Sequence, residues 1–197
     1  GFNLTGVDFG MLMVSDTKGT LVTTDDVNYM ALKAAVASAG LVGIDGLTAT
    51  VTTLSVIVNK TSSTTAPNKV LDFVNSAETI NTTDTSAASR AIATGPAPAP
   101  AVTLDIDGDE GALLQVMANL TLDVFGFVNL KGGFAFTKSS TTVTLSDGTS
   151  QNMSLLTVGA GNVNAFVGAN GPYILNDNGT PDIFTDDTTN PGALGLS

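Results

Sequence analysis

The sequence predicts an all-β, mostly antiparallel fold, either a β-sandwich or an elongated β-sheet repeat unit, and three observations carry that prediction. Apolar and polar residues alternate over many stretches, which is the period of a strand. Charged residues are only 13 % of the chain, about half the usual share. Thr, Ser, Asn, Gly and Ala take their place, a mixture that suits pleated surfaces and turns. Turn signals such as Asp147-Gly148 punctuate the alternating runs.

Taken in order, the segment from Asp25 to Gly40 is the ambiguous one. Its alanines, an aspartate cap and Gly40 suit a helix. Its counterpart later in the chain contains Thr157, Val158, Gly159 and Gly161, a poor helix, so a strand is expected. From Thr48 to Val58 the alternation is strict. It sets Ala49, Val51, Thr53, Ser55 and Ile57 on one face and Thr50, Thr52, Leu54, Val56 and Val58 on the other, leaving each face half apolar.

Residues 60–101 read as a long surface excursion. Lys60 to Pro67 is a polar loop, Val70 to Val74 a short element, and Pro96, Pro98 and Pro100 force an extended arm. Leu120 to Leu130 reads as a strand ending near Gly132-Gly133. Gly133 to Lys138 and Thr141 to Ser146 read as strands around a bend at Ser139-Ser140, and Val163 to Val167 as a short strand between Gly161 and Gly168.

An internal echo organises these pieces. Asn3-Leu4-Thr5-Gly6 corresponds to Asn129-Leu130-Lys131-Gly132, Met30-Ala31-Leu32 to Met153-Ser154-Leu155, and Val42-Gly43-Ile44-Asp45-Gly46 to Val167-Gly168-Ala169-Asn170-Gly171. The expected organisation is one repeat unit over 1–197. It has two related strand–turn–strand halves (about 1–59 and 119–175), an insertion at 60–118 and a polar junction at 176–197. A division into two domains by the Pro-Ala stretch is the weaker alternative. The tail Gly192-Ala193-Leu194-Gly195-Leu196-Ser197 joined to Gly1-Phe2-Asn3-Leu4-Thr5-Gly6 would read as one strand. That suits a unit from a tandem array, or an assembly in which one subunit's terminal strand completes the next subunit's sheet.

Composition narrows function. Eighteen acidic residues against seven basic ones give a formal charge of −11, so nucleic acid is not an expected partner. No apolar run approaches the ~20 residues of a membrane-spanning helix, so membrane insertion is not expected. Gly1 to Gly10 has neither a basic start nor a cleavage pattern, and the segment reads as mature or internal. There is no cysteine and no histidine, which excludes disulfides and thiolate metal sites and removes the commonest general base. Asp105 and Asp107 are a carboxylate pair of glycosidase type, but no Trp is present to stack on sugar, and no phosphate-binding loop or activated serine stands out. An enzyme is not expected.

An acidic surface attracts cations, and calcium is the expected cofactor. Asp105, Asp107 and Asp109 stand at i, i+2 and i+4, followed by Glu110, with Gly108 allowing a tight turn. The spacing is not that of an EF-hand, whose sixth and twelfth positions fall on Glu110 and Val116. A second oxygen-rich loop holds Asn176, Asp177, Asn178, Asp182 and Asp186. A solvated acidic turn and a polar linker are the plainer readings of these loops. Asp25-Asp26 reads as a cap. Sequons begin at Asn3, Asn59, Asn81, Asn119, Asn152 and Asn178, and Asn81 is the one expected to be accessible.

The segments V-G-I-D-G-L-T, T-L-S-V-I-V-N, L-K-G-G-F-A-F and V-G-A-N-G resemble the long tandem repeats of giant bacterial secreted or cell-surface proteins of adhesin-like, calcium-associated type. The resemblance covers most of the chain outside 60–118. It implies an extracellular location, tandem repetition and a structural or adhesive role, with copies of the same unit as partners. Two alternatives stand beside it: a calcium-dependent adhesive module gripping a carbohydrate or surface, and a donor-strand subunit of pilin type.

Overall fold

The computed structural model describes residues 1–74, 89–180 and 185–197. Its dominant element is one antiparallel sheet of seven strands. Strands β1 (Phe2–Asp16), β2 (Val27–Leu41) and β3 (Leu47–Thr61) form a meander. An excursion carrying the short strands β4 (Arg90–Ala93) and β5 (Ala101–Leu104) leads to β6 (Leu113–Val124), β7 (Val128–Thr144) and β8 (Ser150–Ala169). A second excursion holds β9 (Ile174–Asn176) and β10 (Thr188–Thr189) and returns as β11 (Leu194–Leu196) along β8. Spatial order is β1-β2-β3-β6-β7-β8-β11, with β4-β5 and β9-β10 as separate two-stranded ribbons. The chain is thus all-β, and the ambiguous segment is strand β2.

The strands are longer than the sequence reading had them. Val163–Val167 is the end of the 20-residue β8. Gly133–Lys138 and Thr141–Ser146 belong mostly to the 17-residue β7, which passes through Ser139-Ser140 without turning. Leu120–Leu130 is two strands. Phe125 (φ 52°) and Gly126 (φ 69°) turn the chain between β6 and β7, and the Phe125 N–H donates to the Gly46 carbonyl. Asp123 Oδ1 accepts the Gly126 N–H at 2.8 Å and stabilises this turn.

A crease crosses the sheet. Gly6 (φ 59°), Thr53 (φ 50°) and Asn162 (φ 53°) lie in the left-handed region within β1, β3 and β8. The β3–β6 register slips between Thr52 and Ser55 and the β7–β8 register between Lys131 and Gly133. A Cβ on Gly6 would lie 2.7 Å from the Ala37 side chain. Thr53 is β-branched and strained in this region; its Oγ1 accepts from Asn119 Nδ2 at 2.8 Å. Each such bulge shifts the alternation by one residue.

The shift overturns the face assignment made for β3. The β6–β7 ladder is unbroken, so Leu114, Val116, Ala118, Leu120, Leu122 and Val124 of β6 share one face. Their β3 partners are Val58 and Val56 above the bulge and Val51, Ala49 and Leu47 below it. These β3 residues therefore share one face, where strict alternation had divided them.

Two largely apolar rows lie on that face. One row runs Met11, Leu32, Val58, Leu114, Lys138, Leu156, and the next runs Phe9, Ala34, Val56, Val116, Phe136, Val158. On the outer strands Phe9 is 58 % exposed and Val158 73 %, while Leu32, Ala34, Val56, Val58, Leu114 and Val116 between them are half-buried, and the core residues of the excursion lie on the opposite face.

The core sits on the opposite face. Leu12 and Ile57 of the sheet pack with buried Ala31 and Leu113 against Phe73, Leu104 and Ile106 of the first excursion. Gly10 is buried beneath the β4–β5 ribbon because a Cβ there would come within 3.0 Å of Val102. The excursion is therefore a source of core rather than a surface feature. Val70–Val74 forms no strand, yet Phe73 plugs the core and its N–H donates to the Ile106 carbonyl at 3.1 Å. Pro96, Pro98 and Pro100 do not build an extended arm. They lie in the connection of the β4–β5 hairpin, where the Ala99 N–H donates to the Pro96 carbonyl at 3.0 Å.

Candidate functional site

Two features could carry function: the acidic loops on the covered face and the open edges of the sheet. The Asp105–Glu110 cluster separates on folding. A short 3-10 turn (Gly108–Glu110) starts at Asp107, whose carboxylate accepts the Asp109 N–H at 2.9 Å. This turn brings Asp107 and Asp109 to Asp72, and one carboxylate oxygen of each lies within 4.8 Å of the others. Asp72 Oδ1 also accepts the Val74 N–H at 3.0 Å and the Gly108 N–H at 3.3 Å. Asp105 points elsewhere, onto Lys33 Nζ at 2.7 Å, and Glu110 is exposed and outside the trio. Asp72 lay 35 positions from Asp107 in the sequence, so local spacing could not find it. Three carboxylates that close offer hard oxygens to a divalent cation, which needs six to eight in all for calcium.

The second acidic loop folds largely on itself. Asp177 Oδ2 accepts from Lys131 Nζ at 3.0 Å, tying the excursion to β7. That lysine, and then the Gly179 N–H, hold the Asp177 carboxyl below the ordinary aspartate range. Asn176 Oδ1 accepts the Asn178 N–H at 3.0 Å, Asn178 Nδ2 donates to the Asp186 carbonyl, and Thr180 Oγ1 donates to Asp186 Oδ2 at 2.9 Å. Asp182 lies outside the described residues. The oxygens expected to gather round an ion are thus partly used within the loop. Asp25 accepts from Thr20 Oγ1 at 3.1 Å, a bond within the β1–β2 connection rather than a cap on a strand's backbone. Of the sequons, Asn59 is fully buried and its Nδ2 donates to the Leu71 carbonyl, while Asn81 lies outside the described residues.

Beneath the second excursion a cavity of about 320 Å³ opens against β6, β7 and β8, walled by Leu122, Leu130, Phe166 and Tyr173. Asn129 lines it, 8 % exposed, with neither amide atom hydrogen-bonded among the described residues.

The edges are the larger feature. Among the described residues β1 pairs only with β2 and is an edge over its 15 residues. β8 is paired by β11 only at Val167, Gly168 and Ala169, leaving its outer side open from Ser150 to Phe166. Every ladder in the order β1-β2-β3-β6-β7-β8 is antiparallel, so β8 runs opposite to β1. A second copy displaced along the sheet, without rotation, therefore brings its β1 antiparallel to β8 with the same face up. The echo segments fall on the hairpins at the two ends of this order, β1–β2 and β7–β8.

Comparison of the chain with protein-family models, with curated proteins and with solved structures returned no match.

Proposed function

We propose that this chain is a structural unit of an extracellular bacterial fibre, filament or adhesin stalk, extended end to end by pairing β1 of one unit with β8 of its neighbour. The observation that carries this reading is the match between the two open edges: comparable length, opposite direction, one common face. Open edges of this length invite strand addition unless something covers them. A contact that uses two different surfaces and no rotation does not close, so it yields a filament rather than a ring. Six strands per unit at about 4.8 Å give a repeat of ~29 Å along the filament. Calcium is the proposed cofactor, held by Asp72, Asp107 and Asp109, where it would pin the first excursion to itself. The carbohydrate-gripping alternative has no comparable feature in its favour.

The test is electron microscopy of the 197-residue chain beside the Ser154→Pro variant. Ser154 pairs with Ser140, whose N–H donates to the Ala112 carbonyl on the far side of β7. The Ser154 N–H therefore faces outward, and proline there blocks addition while sparing the β7 ladder. Filaments from the parent and discrete particles from the variant are expected. Discrete particles from both would defeat the fibre reading. For calcium, isothermal titration of the parent against Asp109→Asn should show binding weakened about tenfold or more; equal heats would dismiss the site.

A further inference from the structure

The apolar face of the sheet is the feature that edge pairing leaves unexplained. Adding strands at the edges covers no part of it and only makes it longer. We propose that this face is covered by the same face of a second copy, so that two chains pack sheet on sheet with their excursions pointing outward.

Area, charge and shape point to that occupant. Six strands at about 4.8 Å and about 3.3 Å per residue over the 12 residues of β6 make a face of roughly 29 by 40 Å, on the order of 1,100 Å². A stable interface needs about 800 Å² from each partner, and monomers rarely expose an apolar patch above a few hundred Å².

Charge supports self-association despite a net −11. The carboxylates within the six long strands are Asp8, Asp16 and Asp123. Asp8 and Asp16 keep the phase of Gly10 and Leu12, and Asp123 that of Leu113, so all three lie on the covered face. The apolar face carries only two charges, Lys60 and Lys138, both near the end where β6 begins. A two-fold axis in the interface, perpendicular to the strands, sends the lysines of the two copies to opposite ends. The acidic excursions stay on the two outer surfaces, where their repulsion is least.

The residues themselves suit the role. Phe9, Met11, Phe136 and Val158 are 58 %, 43 %, 37 % and 73 % exposed among the described residues. Sheets packed this way sit about 10 Å apart with side chains interdigitated. The contact does not depend on edge addition, since an isolated pair of chains would show it.

The experiment uses the Ser154→Pro chain, which separates the two contacts, and measures mass by analytical ultracentrifugation. A dimer is expected. Adding Phe9→Lys and Val158→Lys, both at exposed positions, should halve the mass with an unchanged circular dichroism spectrum. Monomers before those changes, or dimers that survive them, would overturn the proposal. Monomers that float with vesicles of phosphatidylcholine and phosphatidylserine would overturn it in favour of a lipid surface. Should Ser154→Pro fail to fold, parent filaments decide the matter by cryo-electron microscopy: two sheets about 10 Å apart support the pairing, and a single sheet or a one-sheet tube overturns it. Single-sheet filaments would leave the fibre reading standing, and face dimers without filaments would remove it alone.

Discussion

The two faces of the central sheet are made by the same strands and behave as opposites. One is polar through its middle and gathers a core only where an excursion brings Phe73, Leu104 and Ile106 onto Ala31 and Leu113. The other is apolar through its middle, with Lys60 and Lys138 near one end, and no described excursion packs on it. The first face therefore carries the core of the isolated chain, and the second is the one proposed to associate. A sheet needs both sides satisfied, and among the described residues only one is.

The largest expected effect breaks this division directly. Phe73→Ala should cost about 3–5 kcal/mol in the isolated chain, because Phe73 is 4 % exposed at the centre of the core. Val158→Ala, 73 % exposed on the other face, should change the same quantity by less than about 0.5 kcal/mol. Urea denaturation of the two variants in the Ser154→Pro background, at concentrations low enough that the chain is monomeric by ultracentrifugation, measures both. Equal losses would show that the apolar face is already buried within one chain.

An intermediate effect is expected at the crease that keeps apolar residues on one side. Thr53→Gly relieves a left-handed β-branched residue and should stabilise by about 1 kcal/mol, less whatever the Asn119 bond to Thr53 Oγ1 contributes. A loss above about 1 kcal/mol in denaturation would mean that this hydrogen bond outweighs the strain.

The smallest effect belongs to the ties that hold the second excursion. Asp177 is held below the ordinary aspartate range by Lys131 and then by the Gly179 N–H. Its contribution is fully present above the ordinary range and is lost as pH falls through the depressed value. The Lys131 side chain is 58 % exposed, so Asp177→Asn should cost no more than about 1 kcal/mol. Amide exchange across Ile174–Asn176 should quicken in that variant at neutral pH and match the parent in strong acid.

Much of the fold was legible. Alternation, turn residues and low charge predict the strands, and the echo marks the hairpins at both ends of the sheet. The candidate ion site was half legible. Asp107 and Asp109 stand together in the sequence, but Asp105 was lost to Lys33 and Asp72 was out of range, because a carboxylate's partners depend on which loop folds over it. The phase change was also written in β1, where Phe2 and Leu4 give way to Val7, Phe9, Met11 and Met13. Read as unbroken alternation, such a run looks half apolar on both faces, as Thr48–Val58 did.

What the sequence alone determined about this protein was local: that it is built of strands, where most of them turn, and that no thiol or imidazole chemistry is open to it. Local alternation and turn preference act over a few residues, and those residues are adjacent in the chain. Tertiary structure alone decided which face is covered, which edges remain open and which carboxylates meet. Each of these depends on groups far apart in sequence, and a one-residue bulge is enough to carry a side chain from one face to the other.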